Sequence, residues 1–176
     1  MALLGTAALV VAAAFPLTGH ATEHPWGSAL GTGLHTVHII AGGAWLGALF
    51  TMLLAGLRTA RGDDAADVAR MVGAFSPIAL AAAGVALTAG GLMALAYVGT
   101  FGDLVGTRYG QVLVVKVLVL AAAMALGAWN WRRLTPRLGT VGGTAALTRS
   151  ATVELAFGLG VIAATSLLVS LPAPRI

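Results

Sequence analysis

The chain has 176 residues, of which 59% are hydrophobic and only 9% charged, and its mean hydropathy is +0.94. Soluble domains carry about 25% charged residues, so this composition excludes a soluble globular protein and predicts an integral membrane protein with several spans. The net charge of +4 comes mostly from arginines spread over loops and helix ends, which indicates membrane orientation and excludes a nucleic-acid partner. The chain has no cysteine, which excludes disulfides, thiolate metal sites and iron–sulfur clusters.

Uncharged stretches of about 17–25 residues predict five membrane-spanning helices in the lipid bilayer and no membrane β-barrel. The spans are expected at about residues 2–18, 34–57, 75–98, 111–131 and 151–171. The first span has no basic residue at its start, so it is interpreted as retained rather than as a cleaved signal peptide. The predicted fold is an all-α polytopic helical bundle that forms a single membrane domain over residues 1–176.

Arginine is concentrated in two of the predicted loops, 58–70 and 132–149. The positive-inside rule places both loops in the cytoplasm. The amino terminus is then cytoplasmic and the carboxyl terminus periplasmic or extracellular. This orientation puts every histidine of the chain on or just beneath the outer face.

All four histidines lie close together, as His20, His24, His35 and His38. His35 and His38 are three residues apart and project from one face of the second span, while His20 and His24 lie in the preceding loop. Four imidazoles, or three with Glu23, suit Cu(II) in a tetragonal site or Zn(II) in a tetrahedral site. The alternative is that interfacial histidines only satisfy hydrogen bonds, and this alternative is strongest for His24.

Methionine supplies further candidate ligands, because its thioether favours Cu(I). Met93 lies at a depth that His38 would share, and Met52 and Met124 lie deeper, although methionine in an apolar helix is more often packing material. Trp45 continues the helix face of the histidines and predicts a tight helix contact beneath them.

Lys116, Glu154 and Asn130 are further candidate residues inside the predicted spans. Lys116 is expected either to extend outward to the interface or to lie near the histidines, where its charge would weaken cation binding. Glu154 is expected to pair with an arginine of the 132–149 segment, or to accept a cation that leaves the bundle. Asn130 is expected to make a polar contact between helices.

The order and spacing of several short stretches resemble the copper-resistance D (CopD) family of bacterial inner-membrane proteins over about residues 18–174. The stretches are Thr18-Gly19-His20-Ala21, Leu34-His35, Trp45-Leu46-Gly47, Phe75-Ser76, Ala79-Leu80, Leu87-Thr88-Ala89-Gly90, Tyr109-Gly110, Lys116, Asn130, and Arg149 with Glu154.

The resemblance implies a multi-pass inner-membrane protein, not an enzyme, that acts in copper transport, with uptake the expected direction, or in copper homeostasis and resistance. By residue, it points to His20 and His35 as copper-related positions, with the ion carried as Cu(I) or Cu(II). The resemblance also implies that the protein acts together with a periplasmic copper-binding protein or as a homo-oligomer.

Two other functions remain open at this point. One is a b-type haem protein for electron transfer, although haem ligands normally come from different helices and both span histidines share one helix here. The other is a subunit that delivers copper for the assembly of a respiratory oxidase.

Overall fold

The computed structural model describes residues 23–59, 65–133 and 141–175, together with residue 14. Every regular element within these ranges is a helix, which confirms the all-α prediction. We number the helices in chain order: α1 Ser28–Thr59, α2 Ala65–Tyr97, α3 Phe101–Gly106, α4 Arg108–Arg133 and α5 Val141–Ser170.

Four of these helices are long and apolar enough to cross a membrane. The apolar segments are Ser28–Leu54, Gly73–Tyr97, Arg108–Asn130 and Arg149–Ser170. They coincide with the second to fifth predicted spans, so that part of the prediction is confirmed. The predicted first span, residues 2–18, lies outside the described residues, and the orientation of the termini stays a prediction.

Large apolar side chains point outward, whereas the buried positions of the described helices are filled mainly by alanine. Leu80, Leu95 and Leu118 are each more than 60% exposed, while Ala96 and Ala123 are almost completely buried. In water this arrangement would leave much apolar surface hydrated, which is unfavourable. Helices that face lipid tolerate it, and small buried residues let helix backbones approach closely.

The chain divides into two compact units. Unit 1 comprises Met1–Gly43, Ala82–Val115 and Ala164–Ile176, and unit 2 comprises Ala44–Ala81 and Lys116–Ala163. The candidate residues divide between them: the described histidines, Met93 and the tyrosines belong to unit 1, whereas Asn130 and Glu154 belong to unit 2.

In unit 1, α1 and α2 run antiparallel. His38 lies against Ala86 and Gly90, and Leu34, one turn earlier, packs against a buried cluster that includes Met93 and Tyr97. The third member of that cluster is Ala173, which follows α5, and Tyr109 at the start of α4 also packs against it.

A short connection joins α2 to α4 in unit 1 through α3. Thr100 and Asp103 form a capping box: the Thr100 hydroxyl accepts from the Asp103 backbone N–H, and Asp103 Oδ2 accepts from the Thr100 backbone N–H. These bonds satisfy backbone donors that a helix start leaves open. Gly110 then lies directly against the backbone carbonyls of Asp103 and Leu104, where a Cβ atom would not fit.

In unit 2, α4 and α5 also run antiparallel. Gly160 of α5 lies against Val119, and Gly127 of α4 lies against the Glu154 carboxyl. A third close contact places Leu46 of α1 against Gly158. Glycine at each of these positions brings a helix backbone close to a side chain of its neighbour, as is common in membrane helix packing.

Candidate metal centre

His35 and His38 carry their ring protons on the same nitrogen. Nδ1 of His35 lies 3.0 Å from the Gly31 carbonyl oxygen, and Nδ1 of His38 lies 2.8 Å from the Ala86 carbonyl oxygen. A carbonyl only accepts, so each neutral imidazole must donate from Nδ1 and hold its lone pair on Nε2. Metal-bound histidines typically use this arrangement, in which the non-ligating nitrogen donates to a carbonyl.

The His38 side chain is fixed by contacts with α2. The Ala86 carbonyl that it bonds belongs to α2, and its ring also covers Gly90, where a Cβ atom would lie 2.9 Å from Cε1 and 3.1 Å from Nδ1. Glycine at position 90 is therefore what gives the imidazole room to reach the Ala86 carbonyl. Sequence analysis noticed Gly90 only as part of a resemblance, because contacts between helices are not visible in sequence.

His24 has the opposite tautomer. Its Nδ1 accepts a hydrogen bond from the Trp26 backbone N–H at 3.1 Å, so the neutral ring carries its proton on Nε2. The residue is only 4% exposed, and Nε2 finds no hydrogen-bond partner among the described residues. Burial lowers the pKa of His24 below its ordinary value, because the charged imidazolium is poorly solvated there. In this arrangement neither ring nitrogen of His24 offers a lone pair to a metal ion.

Tyr97 connects the histidines to an aromatic cluster at the end of α2. Its ring centroid lies 5.1 Å from that of His24, 5.9 Å from that of His35 and 6.4 Å from that of Tyr109, always edge to face. Trp26 adds a fourth such contact, 5.5 Å from His24. Edge-to-face pairs of this kind stabilise by about 0.5–1.5 kcal/mol each, and they hold the loop histidine over the helix. Sequence analysis missed Tyr97, although a tyrosine at the end of an apolar span was a visible signal.

Met93 lies on the face of α2 that meets the histidines. It is buried, it packs with Tyr97, and it lies one turn from both Gly90 and Tyr97, which contact His38 and His35 respectively. Its thioether as a third ligand stays a prediction.

The described residues do not contain a complete metal site made of histidine and acidic residues alone. No group of three such side chains comes together in that part of the chain. His20 lies outside the described residues. A centre at His35 and His38 that takes a third ligand from Met93 or His20 stays a prediction.

The other candidate residues of the spans lie in unit 2. Trp45 is buried in α1, whereas Met52 of α1 and Lys116 and Met124 of α4 are partly buried. No ring contact, hydrogen bond or ion pair assigns these four described side chains to a site, so their functional roles stay predictions.

Asn130 and Glu154 form a buried polar pair between α4 and α5. The Asn130 side-chain amide donates to Glu154 Oε1, and the Ser150 hydroxyl donates to Asn130 Oδ1 at 2.6 Å. No ion pair links Glu154 to those arginines of the 132–149 segment that the structure describes, all of which are exposed. The carboxyl therefore has an amide partner here where sequence analysis expected an arginine.

The apolar helices define the protein as a multi-pass helical membrane protein. Residues 69–168, more than half of the chain, match the sequence model of the family described as copper resistance protein D. The chain belongs to that family.

One curated relative extends the comparison. The chain is 30% identical over 166 residues to the copper transport protein CutJ of Bacillus subtilis (strain 168). The match covers 94% of this chain and 29% of the relative, so the chain spans less than a third of that protein's length. No solved structure matches the chain.

Proposed function

We propose that this protein binds copper at His35 and His38 on the outer face of the bacterial inner membrane and takes part in copper transport. Uptake is the direction we propose, and copper homeostasis or resistance is the physiological setting. Membership of the copper resistance protein D family and the similarity to a copper transport protein support a transport role over catalysis.

The observation that carries the proposal is the shared tautomer of His35 and His38. Two imidazoles on one helix face hold their lone pairs on Nε2, and both are oriented by carbonyls through Nδ1–H. A pair of neutral nitrogen donors binds a cation without first losing protons. Orientation by carbonyl groups reduces the entropy lost when the metal binds.

The ligand set we propose favours Cu(I). Two imidazoles with the Met93 thioether give a soft, low-coordinate site, which suits Cu(I) better than Zn(II). His20 in place of Met93 would shift the preference towards Cu(II). X-ray absorption of the loaded protein distinguishes these sets, because a sulfur neighbour of copper that is present in the wild type and absent from a Met93→Leu variant identifies Met93 as the ligand.

Copper stoichiometry of the purified protein tests the proposal. The wild type should bind copper, and the His35→Ala/His38→Ala double variant should lose that copper. His24→Ala is the matched control, because its imidazole is in the opposite tautomer and should not bind. Equal copper in the wild type and the double variant would contradict the proposal.

Transport is tested separately in proteoliposomes. We expect copper to accumulate inside vesicles that contain the wild type and not inside those that contain the double variant. Adding a periplasmic copper-binding protein as donor, and measuring the molecular mass of the protein in detergent, would test the proposed partner and the proposed homo-oligomer. A stoichiometric Soret band in the purified protein would instead support the haem alternative.

A further inference from the structure

A buried carboxyl in unit 2 has no role in the proposed copper site. Glu154 is 6% exposed and Asn130 is 7% exposed, and both lie within helices that are apolar enough to span a membrane. Glu154 Oε1 accepts from the Asn130 amide, and Asn130 Oδ1 accepts from Ser150. The second oxygen, Oε2, faces Gly127, where a Cβ atom would lie 3.3 Å away. The carboxyl is therefore enclosed by α4 and by its own helix.

Among the residues whose side chains the structure describes, none brings a positive charge to this carboxyl to balance an ionised form. On α4 and α5 the described arginines, Arg132, Arg133 and Arg149, are exposed and make no ion pair with Glu154. Lys116 lies 14 residues before Asn130, about 21 Å along α4 at ~1.5 Å per residue.

The remaining neighbour is α1, which contacts this part of α5 through Leu46 and Gly158. Residues 44–54 of α1 contain no titratable side chain, and neither do residues 73–81 of α2; Arg70 of α2 is exposed. A carboxylate among neutral groups in an apolar environment is strongly disfavoured, whereas a protonated carboxyl is not.

An open surface cavity lies beside the polar side chains that hold this carboxyl. The cavity has a volume of about 450 Å³ and is lined by Leu126, Ala146, Arg149, Ser150 and Val153. Ser150 thus borders the cavity and also donates to Asn130, which holds Glu154. A chain of two polar side chains therefore connects the cavity to the buried carboxyl.

We propose that Glu154 is a proton-binding site within the membrane, positioned by Asn130 and Ser150 and open to proton exchange through the adjoining cavity. In the exchange step a water molecule that enters from the cavity reaches the carboxyl, the O–H bond of the carboxyl breaks, and the proton passes to that water, which returns to the cavity as hydronium. The carboxylate keeps the Asn130 amide as its donor. The reverse transfer restores the neutral acid. Buried carboxyls of this kind serve as proton relays in transporters, where a change of protonation favours a different helix packing.

The sequence permits a direct test, because Glu23 and Glu154 are the only two glutamates in the chain. The protein is labelled with glutamate carrying ¹³C at the carboxyl carbon and placed in nanodiscs of uncharged lipid without copper. Its NMR spectrum then contains two carboxyl signals. The Glu23→Gln variant, altered at an exposed residue outside the spans, assigns the remaining signal to Glu154 without touching the buried network.

At about pH 7 we expect the Glu154 signal to show the chemical shift of a protonated carboxyl, because a carboxylate is disfavoured among neutral groups in an apolar environment. The Glu154 signal should then move to the carboxylate position at alkaline pH while the protein remains folded. An ionised Glu154 at neutral pH would overturn the proposal, and so would a signal that does not titrate before unfolding. Because no copper is present, these outcomes do not depend on whether the protein transports copper.

Discussion

The imidazole of His38 is the most constrained donor of the candidate metal centre. Its Nδ1 is held by a carbonyl of the neighbouring helix, and its ring covers a glycine on that helix. Its position therefore depends on residues of α2 that would never touch the metal. Such outer contacts orient the ligand and contribute to metal affinity.

Gly90→Ala should displace His38 and weaken the copper site. The new Cβ atom would lie 2.9 Å from Cε1 of His38, so the ring must move and its 2.8 Å bond to Ala86 must lengthen. We expect copper affinity to fall about 10–100-fold, as for other losses of a group that orients a metal ligand. Isothermal titration with copper measures this fall.

Gly91→Ala is the matched control, because a Cβ atom at position 91 meets nothing within 4 Å. Both substitutions gain about 0.8–1 kcal/mol of helix propensity, so their difference isolates the contact with His38. Equal copper affinity in the two variants would show that the position of the His38 ring does not matter for binding.

His24 should make the stability of the protein depend on pH. Burial lowers its pKa in the folded state below the ordinary value of 6.5, so the unfolded state binds more protons than the folded state as the pH falls past that value. The stabilisation is complete above about pH 6.5 and is lost as the pH falls towards the folded-state pKa. The melting temperature should therefore decrease between about pH 7.5 and about pH 5.

The control for this effect is His24→Phe, which keeps an aromatic ring beside Tyr97 and removes the titration. Its melting temperature should depend less on pH than that of the wild type over the same range. Identical pH profiles would mean that His24 does not contribute to the effect.

At the scale of the helices, glycine decides how closely neighbouring elements approach. Gly110 is the clearest case, because the obstacle is backbone: a Cβ atom would overlap the carbonyl groups of Asp103 and Leu104. At Gly158 the obstacle is the flexible end of the Leu46 side chain, which can turn aside. The junction of α3 and α4 is therefore the more rigid of the two contacts.

Gly110→Ala should destabilise the protein by about 1–3 kcal/mol, the usual cost of overpacking, because α4 must shift away from α3. Gly106→Ala, at a nearby position with nothing within 4 Å, should have little effect. Melting temperatures of the two variants in the same detergent measure the difference. A Gly110→Ala variant as stable as Gly106→Ala would show that the junction can relax.

The sequence predicted the positions of the spans better than it predicted the contacts between them. Hydropathy is a property of each segment by itself, so the third to fifth spans were found to within three residues, while the second span begins six residues earlier than predicted. The partner of Glu154 depends on which face of α4 it meets, and an arginine was expected where Asn130 lies. Tyr97 and Gly90 were missed as site residues for the same reason.

At the scale of the whole molecule, composition alone excluded a soluble protein, and it did so for a physical reason. With 9% charged residues the chain has too few polar side chains to cover a surface in water. The exposed leucines of the described helices agree with that conclusion. The family could also be recognised from short stretches along most of the chain, and residues 69–168 match its sequence model.

The sequence by itself therefore showed that the protein is not a soluble one. It also determined the four apolar helices, the family and the concentration of histidines at one end of a span. Only the tertiary structure decided which nitrogen of each described histidine carries the proton, and which groups enclose Glu154. The reason is that tautomers and buried polar partners are set by hydrogen bonds, several of them between helices far apart in the chain, such as that from His38 to Ala86. Residue spacing within one helix does not determine which helix lies opposite.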